Sequence, residues 1–303
     1  MIAIPLSFVV DVMRREGEVG RRWLDSLPAQ VASCCADWGL TIDGAPMHGG
    51  LSLVVPVRRG EERAVLKLVW AEADAAHEAL ALAAWDGHGA VRLLKAEPER
   101  RALLVERLDH TRTLGMLPTG QAFAVAGELL DRLAVPAPAG VPRLAHVAAE
   151  LAAALPVRWE RVGRPMNIRL IDAACMLAVE LGPGAGELLI HTDLHDANIL
   201  ARERGSHDEA QPLPWLAIDP KSVAGEPAFG VAPLLWRRID TMAEPAELAG
   251  HLDSLCAVAE IDPERVRAWS LVRCLDYWLW GLSIGLTEDP LRCAKVIDWL
   301  GWP

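Results

Sequence analysis

Apolar segments of strand length end near residue 107 of this chain, and long segments of helical period follow them. In the first portion Leu51–Val57 and Ala64–Trp70 are β-branched and apolar and flank the charged Arg58–Arg63, which contains Gly60, so the stretch reads as strand, turn, strand. Helical spacing over Glu72–Trp85 puts Ala76, Leu80 and Ala84 on one side, and Gly87-His88-Gly89 ends the helix. Two more short strands are expected at Val91–Leu94 and Ala102–Glu106, across the polar Lys95–Arg101. The second portion reads as helices over Gln121–Ala134, Val141–Leu155, Asn167–Leu181, Glu244–Ala259, Pro263–Leu286 and Pro290–Leu300. Short apolar segments interrupt it at Leu188–Ile190, Ile199–Ala201 and Trp215–Ile218, and the polar Arg202–Pro214 reads as a solvated hairpin tip.

With 303 residues, 52% hydrophobic, the chain is long enough for one large domain or two ordinary ones and far too apolar for wholesale disorder. A net charge of −11 disfavours a nucleic-acid surface and makes a cationic partner the easier expectation. Six cysteines without a C-x-x-C pair form neither a zinc knuckle nor a disulfide framework; they read as thiols in a reducing compartment, and Cys256, Cys274 and Cys293 as packing residues. Ile2–Val10 lacks a basic leader and a cleavage pattern, and no run approaches the roughly 20 apolar residues of a membrane span, so a cytoplasmic protein with no membrane association is expected.

Scarce residue types sharpen the search for chemistry. Only four of the thirty basic residues are lysines (Lys67, Lys95, Lys221, Lys295), and the chain has two asparagines, Asn167 and Asn198. Asn198 lies in His191-Thr192-Asp193-Leu194-His195-Asp196-Ala197-Asn198-Ile199-Leu200, where an Asp precedes an Asn by five residues between short apolar strands. That spacing matches the catalytic loop of protein kinases, in which the Asp takes the proton of the substrate hydroxyl and the Asn holds magnesium. Asp219, directly after the apolar Trp215–Ile218, supplies a second oxygen ligand for such a hard cation. Lys67 on its strand offers a charge for the α- and β-phosphates, steadied by a carboxylate of the next helix, Glu78 first and Glu72 second. Alternatively, His191, Asp193, His195 and Asp196 are spaced to ligate a transition metal, but that reading leaves Asn198, Asp219 and Lys67 unexplained.

These residues resemble the aminoglycoside phosphotransferase family of antibiotic kinases, in its streptomycin 6-kinase and hydroxyurea kinase branch. The likeness rests on Leu53–Arg58, Ala64–Leu68, Trp85–Leu94, Leu103–Leu108, the 191–200 loop, Trp215–Lys221, Gly225–Phe229 and Ala232–Trp236. The resemblance implies an α+β, bilobal protein-kinase-like fold, with a small β-rich nucleotide-binding lobe (1–106) and a larger, mainly helical catalytic and substrate-binding lobe (107–303). It implies ATP or GTP with Mg2+ between the lobes and Asp193 as the base. Lys67 and Glu78 would hold phosphates, Ser52 in Gly49-Gly50-Leu51-Ser52 would lie over them, and Glu106 and Leu108 in the 106–109 linker would meet the purine. Asn198 and Asp219 would hold the metal.

The acceptor would be a hydroxylated, cationic antibiotic, streptomycin foremost, with hydroxyurea or another natural product as the alternative and a weak pseudokinase as a third reading. Residues 222–303 carry twelve acids against seven Lys or Arg, which suits a polyamine acceptor; Glu226, Asp276 and Glu288 are the candidate substrate contacts of a monomer or weak homodimer, with a solvated face as the alternative reading of Asp276, Glu288 and Asp289. Tyr277-Trp278-Leu279-Trp280 also suggests a stacking platform, although Trp278 and Trp280 cannot both face one pocket at helical spacing. Two departures from the family pattern stand out: Thr192 replaces a Gly between the loop's His and Asp, and Gly230 replaces an acid expected to brace the catalytic loop.

Overall fold

The computed structural model describes residues 2–50, 52–70, 75–203 and 215–302. Glu72, Leu51 and most of the expected hairpin tip (204–214) lie outside the described residues.

Residues before Asp43 carry no expected element, yet they form α1 (Leu6–Trp38). Its buried Phe8, Val12, Leu24, Leu27, Val31 and Trp38 share a face, but Gly17 (φ +55°) and an internal Pro28 mask that period with residues that normally end helices. Gly39, left-handed at φ +63°, closes it by donating its N–H to the Cys35 carbonyl. Then come β1 (Thr41–Ile42), β2 (Met47–His48), β3 (Ser52–Arg59) and β4 (Glu62–Val69), followed by α2 (Ala75–Trp85), β5 (Leu93–Glu97) and β6 (Ala102–Glu106). The antiparallel sheet runs β1-β3-β4-β6-β5, with β2 also on β3. On α2 the face opposite to the expected one is buried: Ala75, Glu78, Ala79, Leu82 and Trp85 point inward, while Ala76, Leu80 and Ala84 meet solvent.

The remainder holds β7 (Leu108–Thr113), α3 (Thr119–Leu133), α4 (Leu144–Arg161), α5 (Ile168–Leu181), β8 (Leu188–His191), β9 (Ile199–Arg202), β10 (Trp215–Ala217), β11 (Ser222–Gly225), α6 (Ala232–Arg238), α7 (Pro245–Ala259), α8 (Pro263–Ser283) and α9 (Glu288–Trp299). α4 runs through Pro156 to Arg161, past its expected end at Leu155. The unforeseen strands β7 and β11 pair with β9 and β8, so each is fixed by a partner distant in sequence.

Two apolar cores result. One joins Phe8, Leu27 and Val31 of α1 to Leu53, Val55, Leu66 and Leu68 of the sheet. The larger joins the helices of the second portion and reaches back to Leu82 and Trp85 of α2. The Trp85 indole N–H donates to the Leu133 carbonyl at 2.8 Å, which anchors α2 to the end of α3. No helix among the described residues is long and apolar enough to cross a membrane.

Candidate active site

Strand alternation builds the upper wall of a cleft of about 620 Å³. Successive side chains of a strand point to opposite faces. Thus Leu53, Val55, Leu66 and Leu68 enter the α1 core, while Ser52, Val54, Pro56, Val65 and Lys67 line the cleft. Glu78 lines it from α2, Glu106 and Leu108 from the linker, and Asn198 and Asp219 from the opposite wall. Every expected nucleotide and metal residue therefore meets one cavity, with Asp193 just beyond its lining.

At its centre, Lys67 Nζ donates to Glu78 Oε1 at 2.6 Å and to Asp219 Oδ1 at 2.5 Å. Burial works against the Lys67 charge, and the carboxylates of Asp219 and Glu78 outweigh it, so its pKa lies above the ordinary lysine value. The Lys67 charge holds Asp219 below the usual carboxylate range, whereas burial pushes Glu78 up despite the same partner. Asp219 occupies the left-handed region at φ +56°, uncommon for a residue other than glycine.

The catalytic-type loop is tied to the Asp219 segment at several points. The Ile218 N–H donates to the Asn198 carbonyl, and the His191 ring bonds the Ile218 carbonyl, each at 2.9 Å. His191 Nδ1 accepts the Asp193 N–H at 3.2 Å, so its Nε2 carries the proton to Ile218, and burial keeps the ring neutral. Asn198 Nδ2 donates to the Asp193 carbonyl at 3.0 Å, which leaves the amide oxygen free for a cation. His195 accepts the Ala197 N–H and caps the turn at 196–198, a packing role in the loop.

Thr192 and Gly230, the two departures, have structural accounts. Thr192 donates both its N–H (3.0 Å) and its hydroxyl (2.6 Å) to the Lys221 carbonyl. A Cβ at Gly230 would sit 2.9 Å from the His191 carbonyl oxygen, so the loop closes over space that a side chain there would need. Bracing comes from α8: the half-buried Arg273 donates to the Thr192 carbonyl at 2.7 Å and stacks 4.8 Å over Phe229. The loop is held, and a catalytically silent reading loses its motive.

The expected substrate acids are not brought to this cleft. Glu226 receives Arg265 on both oxygens and the Trp269 indole on one, which ties the 226–230 segment to α8. Asp276 pairs with Arg158, and Glu288 lies exposed beside Arg292 at 3.3 Å. Each acid is paired with an arginine: Arg265 of α8 for Glu226, Arg158 of α4 for Asp276, and Arg292, one turn along α9, for Glu288. Of the aromatic cluster, Tyr277 stacks between Trp236 (4.6 Å) and Trp280 (5.3 Å), so Trp280 rather than Trp278 extends the stack. Cys256, Cys274 and Cys293 are buried free thiols.

Two residues at the site had no sequence-based role. Lys221 Nζ lies 3.1 Å from Asp193 Oδ2, and its rarity was the available signal. Arg273 had none, because arginines are abundant here. Burial pushes the Asp193 carboxyl up, but Lys221 and His195 outweigh it and hold its pKa below the ordinary value.

The donor set suits Mg2+. Among the described residues no group of three or more His, Cys, Asp and Glu is arranged to hold a metal. An amide oxygen and one carboxylate, completed by phosphate and water, match the way Mg2+ is bound beside nucleotides.

The family described as aminoglycoside/hydroxyurea antibiotic resistance kinase matches residues 37–285. The chain is 39% identical to hydroxyurea phosphotransferase of Kitasatospora aureofaciens, over 98% of this chain and 86% of that protein. It is 36% identical to streptomycin 6-kinase of Streptomyces griseus, over 100% and 98%. The fold matches the crystal structure of a thermostable mutant of aminoglycoside phosphotransferase APH(4)-Ia, a ternary complex with ADP and hygromycin B, with a TM-score of 0.60 at 15% identity over 89% of this chain and 97% of that one. A β-rich first portion, a helical remainder and full-length likeness to curated kinases agree: the chain belongs to the aminoglycoside/hydroxyurea antibiotic resistance kinase family, and it is a small-molecule kinase of bilobal, protein-kinase-like fold.

Proposed function

We propose that this kinase transfers the γ-phosphoryl group of ATP to a hydroxyl of a streptomycin-type aminoglycoside. The observation that carries the reading is the contact of Lys67 with both Glu78 and Asp219, beside a loop that presents Asp193 and Asn198. Residues 1–106 serve as the nucleotide-binding lobe and 107–303 as the catalytic lobe. The purine meets the linker at Glu106 and Leu108, Ser52 covers the phosphates, and Lys67, oriented by Glu78, neutralises the α- and β-phosphates. Asn198 and Asp219 would hold Mg2+, which when bound neutralises charge on the β- and γ-phosphate oxygens.

Asp193 orients the acceptor hydroxyl and takes its proton. As the acceptor oxygen bonds to the γ-phosphorus, the bond to the bridging oxygen breaks and its electron pair leaves on ADP. Most of the acceleration comes from positioning and charge neutralisation. The cation-favouring net charge of −11 supports an aminoglycoside acceptor, and the relative named hydroxyurea phosphotransferase supports the small hydroxylated acceptor as the second reading. The protein acts as a monomer or weak homodimer in the cytoplasm.

Mass spectrometry of streptomycin and hydroxyurea incubated with enzyme, Mg2+ and ATP tests this. The expected result is one added phosphate on streptomycin, lost in Asp193→Ala. Phosphate on hydroxyurea alone selects the second reading, and transfer to neither refutes both.

A further inference from the structure

The phosphoryl group must pass between Asp193, which takes the acceptor proton, and Asp219, which faces the nucleotide cleft. Both are anionic, and charge on the transferring group spreads over its equatorial oxygens in the loose transition state. A cation is therefore needed on the acceptor side of that group. Lys67 is committed to Glu78 and Asp219. Arg273, half-buried on α8, donates to the Thr192 carbonyl and lies over Phe229, and Arg237 pairs with Asp196. His195, 3.9 Å from Asp193, is held in the turn by its Nδ1, which accepts the Ala197 N–H.

Lys221 differs from all of these. Its backbone is fixed, because its carbonyl takes two hydrogen bonds from Thr192. Its side chain is 67% exposed, and its ammonium rests 3.1 Å from Asp193 Oδ2. A rigid base with a free four-carbon arm puts a charge where an incoming hydroxyl would displace it. Resting on the kinase reading above, we infer that Lys221 is a catalytic residue: it holds the Asp193 carboxylate in the empty acceptor site, and it moves onto the oxygens of the γ-phosphoryl group during transfer. The proton still passes from the acceptor hydroxyl to Asp193, the new bond forms between acceptor oxygen and phosphorus, and the electron pair of the broken bond leaves on ADP. Lys221 gains and loses no bond; it donates hydrogen bonds that strengthen as charge moves outward.

The test compares wild type, Lys221→Met, Lys221→Arg and Asp193→Ala with ATP, Mg2+ and whichever acceptor the wild type phosphorylates. Because the side chain is exposed, the variants are expected to fold, which thermal unfolding checks. Loss of a donor aimed at transition-state charge predicts a fall in kcat of about 10²–10³-fold for Lys221→Met, with KM values and ADP affinity changed less than about threefold. Affinity for ADP with aluminium fluoride and acceptor, a mimic of the planar phosphoryl group, falls in parallel, and Lys221→Arg recovers part of both. A Lys221→Met enzyme with unchanged kcat, or one whose defect lies wholly in KM and ADP affinity, overturns the inference while leaving the kinase reading intact. A wild type that phosphorylates no acceptor overturns the kinase reading and this inference with it.

Discussion

Thr192 and Lys221 are joined twice, by the hydroxyl and the amide of the one donating to the carbonyl of the other at 2.6 and 3.0 Å. The junction fastens the loop of Asp193 to the segment of Asp219, so the base and the candidate metal ligand cannot drift independently. Replacing Thr192 by Val keeps the β-branched shape and removes the hydroxyl bond. It should cost about 0.5–1.5 kcal/mol in urea unfolding. Steady-state kinetics should show turnover reduced by as much as about 10²-fold, the scale of a small misplacement at a reaction centre. Thr192→Gly should lose more, since it frees the backbone as well.

Arg273 holds the same loop from the opposite side through the Thr192 carbonyl. Arg273→Met removes a charged donor from a buried acceptor, a loss of about 1.5–3 kcal/mol by chemical denaturation. Arg273→Lys should retain part of the stability but not the planar stacking over Phe229, and its kcat should stay below wild type.

Restoring the family's acid by Gly230→Asp should not help. Its Cβ would stand 2.9 Å from the His191 carbonyl oxygen, a backbone atom that cannot swing away. A destabilisation of about 1–3 kcal/mol is expected, with no gain in turnover. A variant as stable as wild type would show that the loop yields more readily than its packing implies.

Glu78 and Lys67 form a buried pair, and Lys67 also reaches the half-exposed Asp219. Glu78→Ala leaves the ammonium on Asp219 alone, which should cost about 3–5 kcal/mol in equilibrium unfolding. The KM for ATP should rise, because Lys67 is then drawn toward Asp219 and away from the phosphates. Glu78→Gln, which keeps a hydrogen bond, should fall between.

Chelation should separate activity from folding. EDTA is expected to stop phosphoryl transfer, and added Mg2+ to restore it. The melting temperature in the absence of nucleotide should not change, because the two candidate ligands, Asn198 and Asp219, are already fixed by Asp193 and Lys67. A large drop in melting temperature would point to a structural metal.

Sequence alone determined the division into a β-rich first portion and a helical second one, and the residue types that meet at the cleft. Lys67 was legible because a lysine inside an apolar strand must find partners, and Asp193 and Asn198 because their spacing matches a loop of known chemistry. Tertiary structure alone decided what surrounds them. α1 was hidden because Gly17 and Pro28 interrupt a period that the β-sheet completes. Packing likewise decided who neutralises two of the acids, since Arg265 reaches Glu226 and Arg158 reaches Asp276 from distant helices, whereas Arg292 stands one turn from Glu288 on α9. Arg273 and Lys221 acquired their places at the loop only when α8 and the Asp219 segment folded against it, since hydrogen bonds across such sequence separations are set by packing rather than by local pattern.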